Sequence, residues 1–186
     1  NHALASSRRS HVEPLLKRVI GVALAGTQDI YHSNTLQVLD GKAAIKQPQV
    51  YKKGNILISF LTLSTIAIID PSLEEIIWVG GPRLWMDGQH NTTLLENGNM
   101  LTFDNHFKGE KTQSRVLEFD PFKKNIIWEY KEKDFYTDTH GSEQRLANGN
   151  TLIIESNNGR AFEVTTNGKI VWEFLYRTGG SQKLHT

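Results

Sequence analysis

Three histidines, His32, His90 and His140, each stand a few residues ahead of a run that reads as a β-strand. Imidazole changes charge near neutral pH, so a group of them can attack an electrophile, pass a proton or hold an anion. The chain has seven histidines in 186 residues, and the equivalent placement of these three says more than their number. Other chemistries lack their residues. There is no cysteine, which removes thiol nucleophiles, disulfides and thiolate metal sites. No Gly-x-x-x-x-Gly-Lys loop is present to cradle a phosphate, no Gly-x-Ser-x-Gly elbow to carry a serine, and no His-Glu-x-x-His pair to hold zinc. A site without metal or cofactor is expected.

The elements that must position the histidines repeat. Gly54-Asn55, Gly98-Asn99 and Gly149-Asn150 recur at intervals of roughly 44 and 51 residues, and Trp78, Trp128 and Trp172 follow them in step. Each unit reads as four strands. The first has strands at 35–39, 56–60, 65–70 and 76–79, with a long loop at 40–53. The second has them at 92–96, 100–104, 115–120 and 126–130, and the third at 144–147, 151–155, 161–165 and 170–174. Asn-Gly between apolar runs is a strong hairpin signal, because both turn residues tolerate positive φ. The last strands, such as Ile126-Ile127-Trp128-Glu129-Tyr130, are β-branched and aromatic. Only 12–25 reads as helix, with Leu15, Leu16, Val19, Ile20 and Ala23 at helical spacing.

The predicted fold is all-β: a β-propeller built of four-stranded antiparallel blades, about three of them in this chain. Three blades do not close a ring of 4–8, so the chain is expected to be a partial propeller or half of a dimeric ring. An N-terminal segment (1–28) would precede a propeller region (29–186) with blades at about 29–88, 89–138 and 139–178. Innermost strands face the axis of such a fold, so residues at their entry gather at one mouth. The three tryptophans are expected to pack between blades, and Asp70, Asp104 and Asp120 to end strands. His140 lies one residue further from its turn than His90, which leaves its direction open.

Composition narrows the partners. Lys plus Arg number 21 and Asp plus Glu 20, a balance that argues against nucleic acid. The longest apolar run, 19–25, is far short of the roughly 20 residues that span a bilayer. The chain begins at Asn1, as a processed chain or a piece of a longer one would. Asn91-Thr92-Thr93 matches a glycosylation acceptor, a match common by chance.

Between 29 and 174 the chain resembles the arylsulfate sulfotransferases, a family of six-bladed propellers. The resemblance is carried by His32-Ser33-Asn34, Gln89-His90, Phe103-Asp104-Asn105 and the segment 114–120, and continues through 141–155 and 159–174. It implies sulfuryl transfer from an aryl sulfate to a phenol without a nucleotide donor, in a periplasmic or secreted protein. It also implies that His90 attacks sulfur to form a transient sulfohistidine, with His32 and Asn34 binding sulfuryl oxygens or carrying the phenol proton. Substrate binding is assigned to His140 for its equivalent place at the mouth, to Asn105 within the resembling Phe-Asp-Asn, and to Arg145 as a cation able to substitute for a missing family Arg. One departure stands out. Leu61 occupies the place where the family usually has an Arg, whose guanidinium would neutralise the transferring group. Its loss predicts impaired turnover unless Arg83, Arg115 or Arg145 substitutes. Two other readings remain: a non-catalytic propeller that binds a ligand or protein at its mouth, and a quinone-dependent dehydrogenase suggested by blade endings such as residues 167–172.

Overall fold

The computed structural model describes residues 31–81, 86–106 and 113–176. The helix expected over 12–25, and Arg83, lie outside the described residues. Within them, regular structure is β apart from two short 3-10 turns, Lys42–Ile45 and Ser156–Asn158. The first sheet holds β1 (Ser33–Val38), β2 (Ile56–Phe60), β3 (Thr65–Asp70) and β4 (Glu75–Gly80). The second holds β5 (His90–Leu94), β6 (Met100–Asp104), β7 (Arg115–Asp120) and β8 (Asn125–Tyr130). The third holds β9 (Ser142–Arg145), β10 (Thr151–Glu155), β11 (Arg160–Val164) and β12 (Ile170–Leu175). Every neighbouring pair is antiparallel and spatial order follows chain order. β1 and β2 pack against β5, and β5 and β6 against β9, so the innermost strands lie side by side. The three sheets form a partial β-propeller. No helix among the described residues is long and apolar enough to cross a membrane.

The middle sheet shows why the sequence stacks this way. Side chains alternate across a strand, so a blade between two others must be apolar on both faces. Met100, Leu117 and Phe119 enter one core with Leu57, Ile66 and Ile68 of the first sheet. Leu101, Phe103 and Val116 enter another with Ile153, Phe162 and Val164 of the third. β6 is consequently buried along its whole length.

The tryptophans close these seams. Trp78 packs on the first core and meets Phe122 of the next blade, with ring centroids 6.0 Å apart. Trp128 packs on the second, donates its indole N–H to the Thr166 carbonyl at 2.8 Å, and lies beneath the Arg145 guanidinium. Trp172 occupies the same place on the third sheet, where no described blade follows, and is 37% exposed.

The Asn-Gly turns differ from the expected geometry. Gly98, Gly149 and Gly168 take positive φ, but the asparagines before them do not. Gly98 N–H donates to the Leu95 carbonyl and Leu95 N–H to Asn99, the pattern of a four-residue turn whose last position is left-handed. Asn97 instead accepts the Asn99 N–H through its side chain at 2.9 Å. Both asparagines then grip Glu118 Oε1, at 3.0 and 2.6 Å. Glu163 is held in the same way by Asn148 and Asn150. The Asn-Gly-Asn signature thus ties each turn to the third strand of its own sheet.

The first strand of each sheet starts about two residues earlier than expected. β5 begins at His90 and β9 at Ser142, and β1 and β5 carry register shifts near their starts. The ladder continues through these irregularities, so polar residues lacking strand propensity are drawn into it. Asp70 and Asp120 do end strands and accept backbone N–H groups of the turns that follow. Asp104 also ends a strand but is completely buried, with its Oδ2 2.8 Å from Arg115 Nε and its Oδ1 accepting the Asp87 N–H.

Candidate functional site

A cavity of about 490 Å³ opens where the innermost strands of the three sheets begin. His32 and Asn34 line it from the first sheet, His90 and Asn91 from the second, and His140 with its neighbours from the third. Three histidines far apart along the chain therefore share one mouth. His32, Asn91 and His140 have φ of 44°, 51° and 70°. Left-handed backbone in non-glycine residues costs of order 1–3 kcal/mol each and clusters at functional sites.

His90 is the best defined group. It is 7% exposed, and its Nδ1 faces two oxygens, Asn105 Oδ1 at 2.7 Å and the Gly88 carbonyl at 3.2 Å. An imidazole nitrogen between two acceptors must carry the proton, so neutral His90 is the Nδ1–H tautomer. The His140 backbone N–H points at His90 Nε2 from 3.3 Å, which agrees with a lone pair there. Gly88 reaches its position with φ of 66°, and a Cβ on it would meet His106 Nδ1 at 2.8 Å. Burial pushes the His90 pKa down, opposed by the bonds that Nδ1–H donates to Asn105 and Gly88 and reinforced by His140 and His32. The ring is therefore neutral at neutral pH.

That shift has a measurable consequence. The fold prefers neutral imidazole, so the unfolded chain takes up this proton first as pH falls below 6.5. Stability contributed by His90 is full above 6.5 and is lost as pH falls towards the folded value. Urea unfolding on either side of 6.5 should show a lower midpoint on the acid side, and His90→Gln should flatten that slope.

Asn34 donates from Nδ2 to the Gln89 carbonyl at 2.7 Å, and its Oδ1 accepts the Thr35 hydroxyl. It thus lashes the first blade to the second, with one amide hydrogen left over. Asn91 repeats the device, donating to the Glu143 carbonyl at 2.8 Å. Asn91 lines the cavity yet was not a site candidate from sequence; the correspondence between Asn34 and Asn91 at the entry of successive inner strands was the available signal. Its side-chain nitrogen is occupied and Thr92 is buried, which argues against glycosylation there.

The structure does not bring two candidates to the cavity wall. Asn105 is fully buried behind His90, with Nδ2 donating to the Thr137 and His140 carbonyls. Arg145 turns onto Trp128 and bonds Glu118 Oε2 at 2.7 Å, because its strand position faces the neighbouring blade. Arg115 is likewise held by Asp104 and Glu129. Leu61 donates its backbone N–H to the His32 carbonyl. Among the described residues no guanidinium lines the cavity.

Glu143, just behind the wall, is buried and neither carboxylate oxygen has a protein hydrogen-bond partner. Burial raises its pKa well above the usual range. A carboxyl with a raised folded pKa contributes most when both states are protonated, and that contribution is lost as pH rises. Glu143→Leu is expected to stabilise the protein at neutral pH by about 1–3 kcal/mol, the cost of an unsatisfied buried polar group. The gain should shrink in acid, as read from the urea midpoint.

The family described as arylsulfotransferase (ASST) matches residues 18–177. No curated protein sequence matches the chain. Among solved structures, the chain is similar to virginiamycin B lyase from Staphylococcus aureus, with a TM-score of 0.50 and 18% identity over 82% of this chain and 43% of that one. It is also similar to a protein of unknown function from Bacteroides caccae, with a TM-score of 0.42 and 16% identity over 64% of this chain and 41% of that one. The first likeness shows the propeller-like fold alone. The chain spans about two-fifths of the length of these structures.

Proposed function

Because the chain belongs to the arylsulfotransferase family, we propose that its cavity transfers a sulfuryl group from an aryl sulfate ester to a phenol through His90. Nε2 attacks sulfur with its lone pair, the bond from sulfur to the aryl oxygen breaks, and the electron pair leaves with the aryl oxide. The acceptor's oxygen then attacks the same sulfur, and the S–N electrons return to Nε2. His32 takes the acceptor's proton, and the free amide hydrogen of Asn34 meets a sulfuryl oxygen. His140 contributes to the wall that receives the substrate.

The observation that carries this reading is the geometry at His90: Nδ1 lies 2.7 Å from Asn105 Oδ1 on the protein side, while Nε2 faces the His140 N–H at the cavity wall. A phenol-dependent release of 4-nitrophenol from 4-nitrophenyl sulfate tests it. Release no faster than in buffer would overturn it. The remaining blades of a ring would come from a longer polypeptide or a second copy, which light scattering separates. A periplasmic or secreted location goes with the reading and is testable by cell fractionation.

A second reading is favoured by one feature. Leu61, with Arg115 and Arg145 turned away, leaves the described wall without a fixed cation. A propeller of that kind would bind an aromatic anion at its mouth without turning it over. Calorimetric binding of an aryl sulfate with no product formed would select this reading.

A further inference from the structure

We propose that Asn105 is a positioning residue: its one amide group holds His90 as the Nδ1–H tautomer and at the same time fixes the His140 loop whose N–H meets Nε2. The first half follows from the donors and acceptors. Both hydrogens of Asn105 Nδ2 are engaged, at 2.9 Å with the Thr137 carbonyl and 2.7 Å with the His140 carbonyl. The amide therefore cannot be turned over without placing its oxygen against two carbonyls. With the orientation set, Oδ1 faces His90 Nδ1 and demands a proton from it.

The second half follows from connectivity. Residues 137–140 carry the N–H that meets His90 Nε2, and Asn105 is bonded to both ends of that segment. Ser114 completes the knot, donating to the Asn105 carbonyl at 2.9 Å and accepting the Thr137 N–H at 3.1 Å. All of these groups are buried or partly buried, so water competes poorly for the bonds. The wrong tautomer would put a hydrogen on Nε2 and leave no lone pair to attack with. Asn105 never touches substrate; it acts through His90.

The catalytic meaning of this assignment rests on the sulfuryl-transfer reading, but its test does not. Nitrogen-15 NMR of the intact chain with labelled histidine reports directly which ring nitrogen of His90 is protonated. The native protein should show Nδ1–H near neutral pH, and Nε2–H or imidazolium would overturn the proposal. In Asn105→Ala, where only the Gly88 carbonyl remains, a mixture of tautomers is expected. An unchanged spectrum would overturn the proposal. Turnover in that variant should fall about 10²-fold with KM little altered. Should Asn105→Ala fail to fold, Asn105→Asp is read instead. An anionic oxygen on Nδ1 should raise the His90 pKa and move the acid limb of its NMR titration upward, and an unmoved titration would overturn the assignment. A native tautomer as expected, in a protein with no transfer activity, would leave the positioning role standing and remove the sulfuryl-transfer reading.

Discussion

On the proposed covalent route, His90→Ala is expected to lower sulfuryl transfer by about 10⁴- to 10⁶-fold, the scale on which loss of a covalent nucleophile lowers turnover in other enzymes. The size follows from the route. Without Nε2 the reaction must proceed by direct attack of a phenol on the sulfate ester, with neither a covalent intermediate nor a preset lone pair. His140 does not stand in for the missing ring: it presents its backbone N–H to that point, and its own Nδ1 lies 3.0 Å from the Thr139 hydroxyl. Release of 4-nitrophenol measures the rate. Mass spectrometry of rapidly quenched protein should find one added sulfuryl group on the peptide containing His90, and none in the variant. Turnover within tenfold of the native rate would sink the covalent route.

How far the sequence showed this site depends on what each residue does locally. β2, β3, β6, β7 and β10 begin and end where the apolar runs and turn residues predicted, because short-range propensity and burial agree there. β5 starts at His90 rather than Thr92, since the register shift between His90 and Thr93 has no local signature. The convergence of His32, His90 and His140 was readable from the repeat, because a propeller makes equivalent positions neighbours. The resembling Phe-Asp-Asn run puts Asn105 with the substrate, and the missing family Arg puts Arg145 there, but neither signal says which way the side chain turns. Their true partners, His90 and Trp128, are set by the packing of one blade on the next. Asn91 was overlooked for the same reason: its bond to the Glu143 carbonyl crosses 52 residues.

Asp104→Ala is expected to destabilise the protein by about 3–5 kcal/mol, the usual cost of removing one partner from a buried ion pair. Arg115 is 3% exposed and would lose the carboxylate on its Nε while keeping Glu129 at 2.8 Å, and the Asp87 N–H would lose the Asp104 oxygen it donates to. Urea unfolding would show a lower midpoint with little change in slope. A loss under about 1 kcal/mol would mean that water or Glu129 replaces the carboxylate, since such pairs are worth that little when solvated. The same carboxyl has a pH signature. Burial pushes its pKa up to about 6, against the opposing Asp87 N–H and Arg115. A raised folded value means that the pH-dependent part of its contribution is full below the ordinary 3.8 and is lost as pH rises through about 6, while the bonds to Arg115 and the Asp87 N–H remain. Asp104→Asn should remove that loss while keeping an acceptor for the Asp87 N–H.

The uneven cover over the tryptophans makes the arc a directional object. At both internal seams, an indole of the earlier sheet meets the face that the later sheet presents, at Phe122 for Trp78 and at Thr166 and Arg145 for Trp128. One outer face carries Trp172, 37% exposed, and Ile154, and the opposite one carries Leu36 and Val38, both more than 60% exposed. A head therefore fits only a tail. Repeating the internal seams would need one polarity, since two such Trp-bearing faces set together would oppose indole to indole.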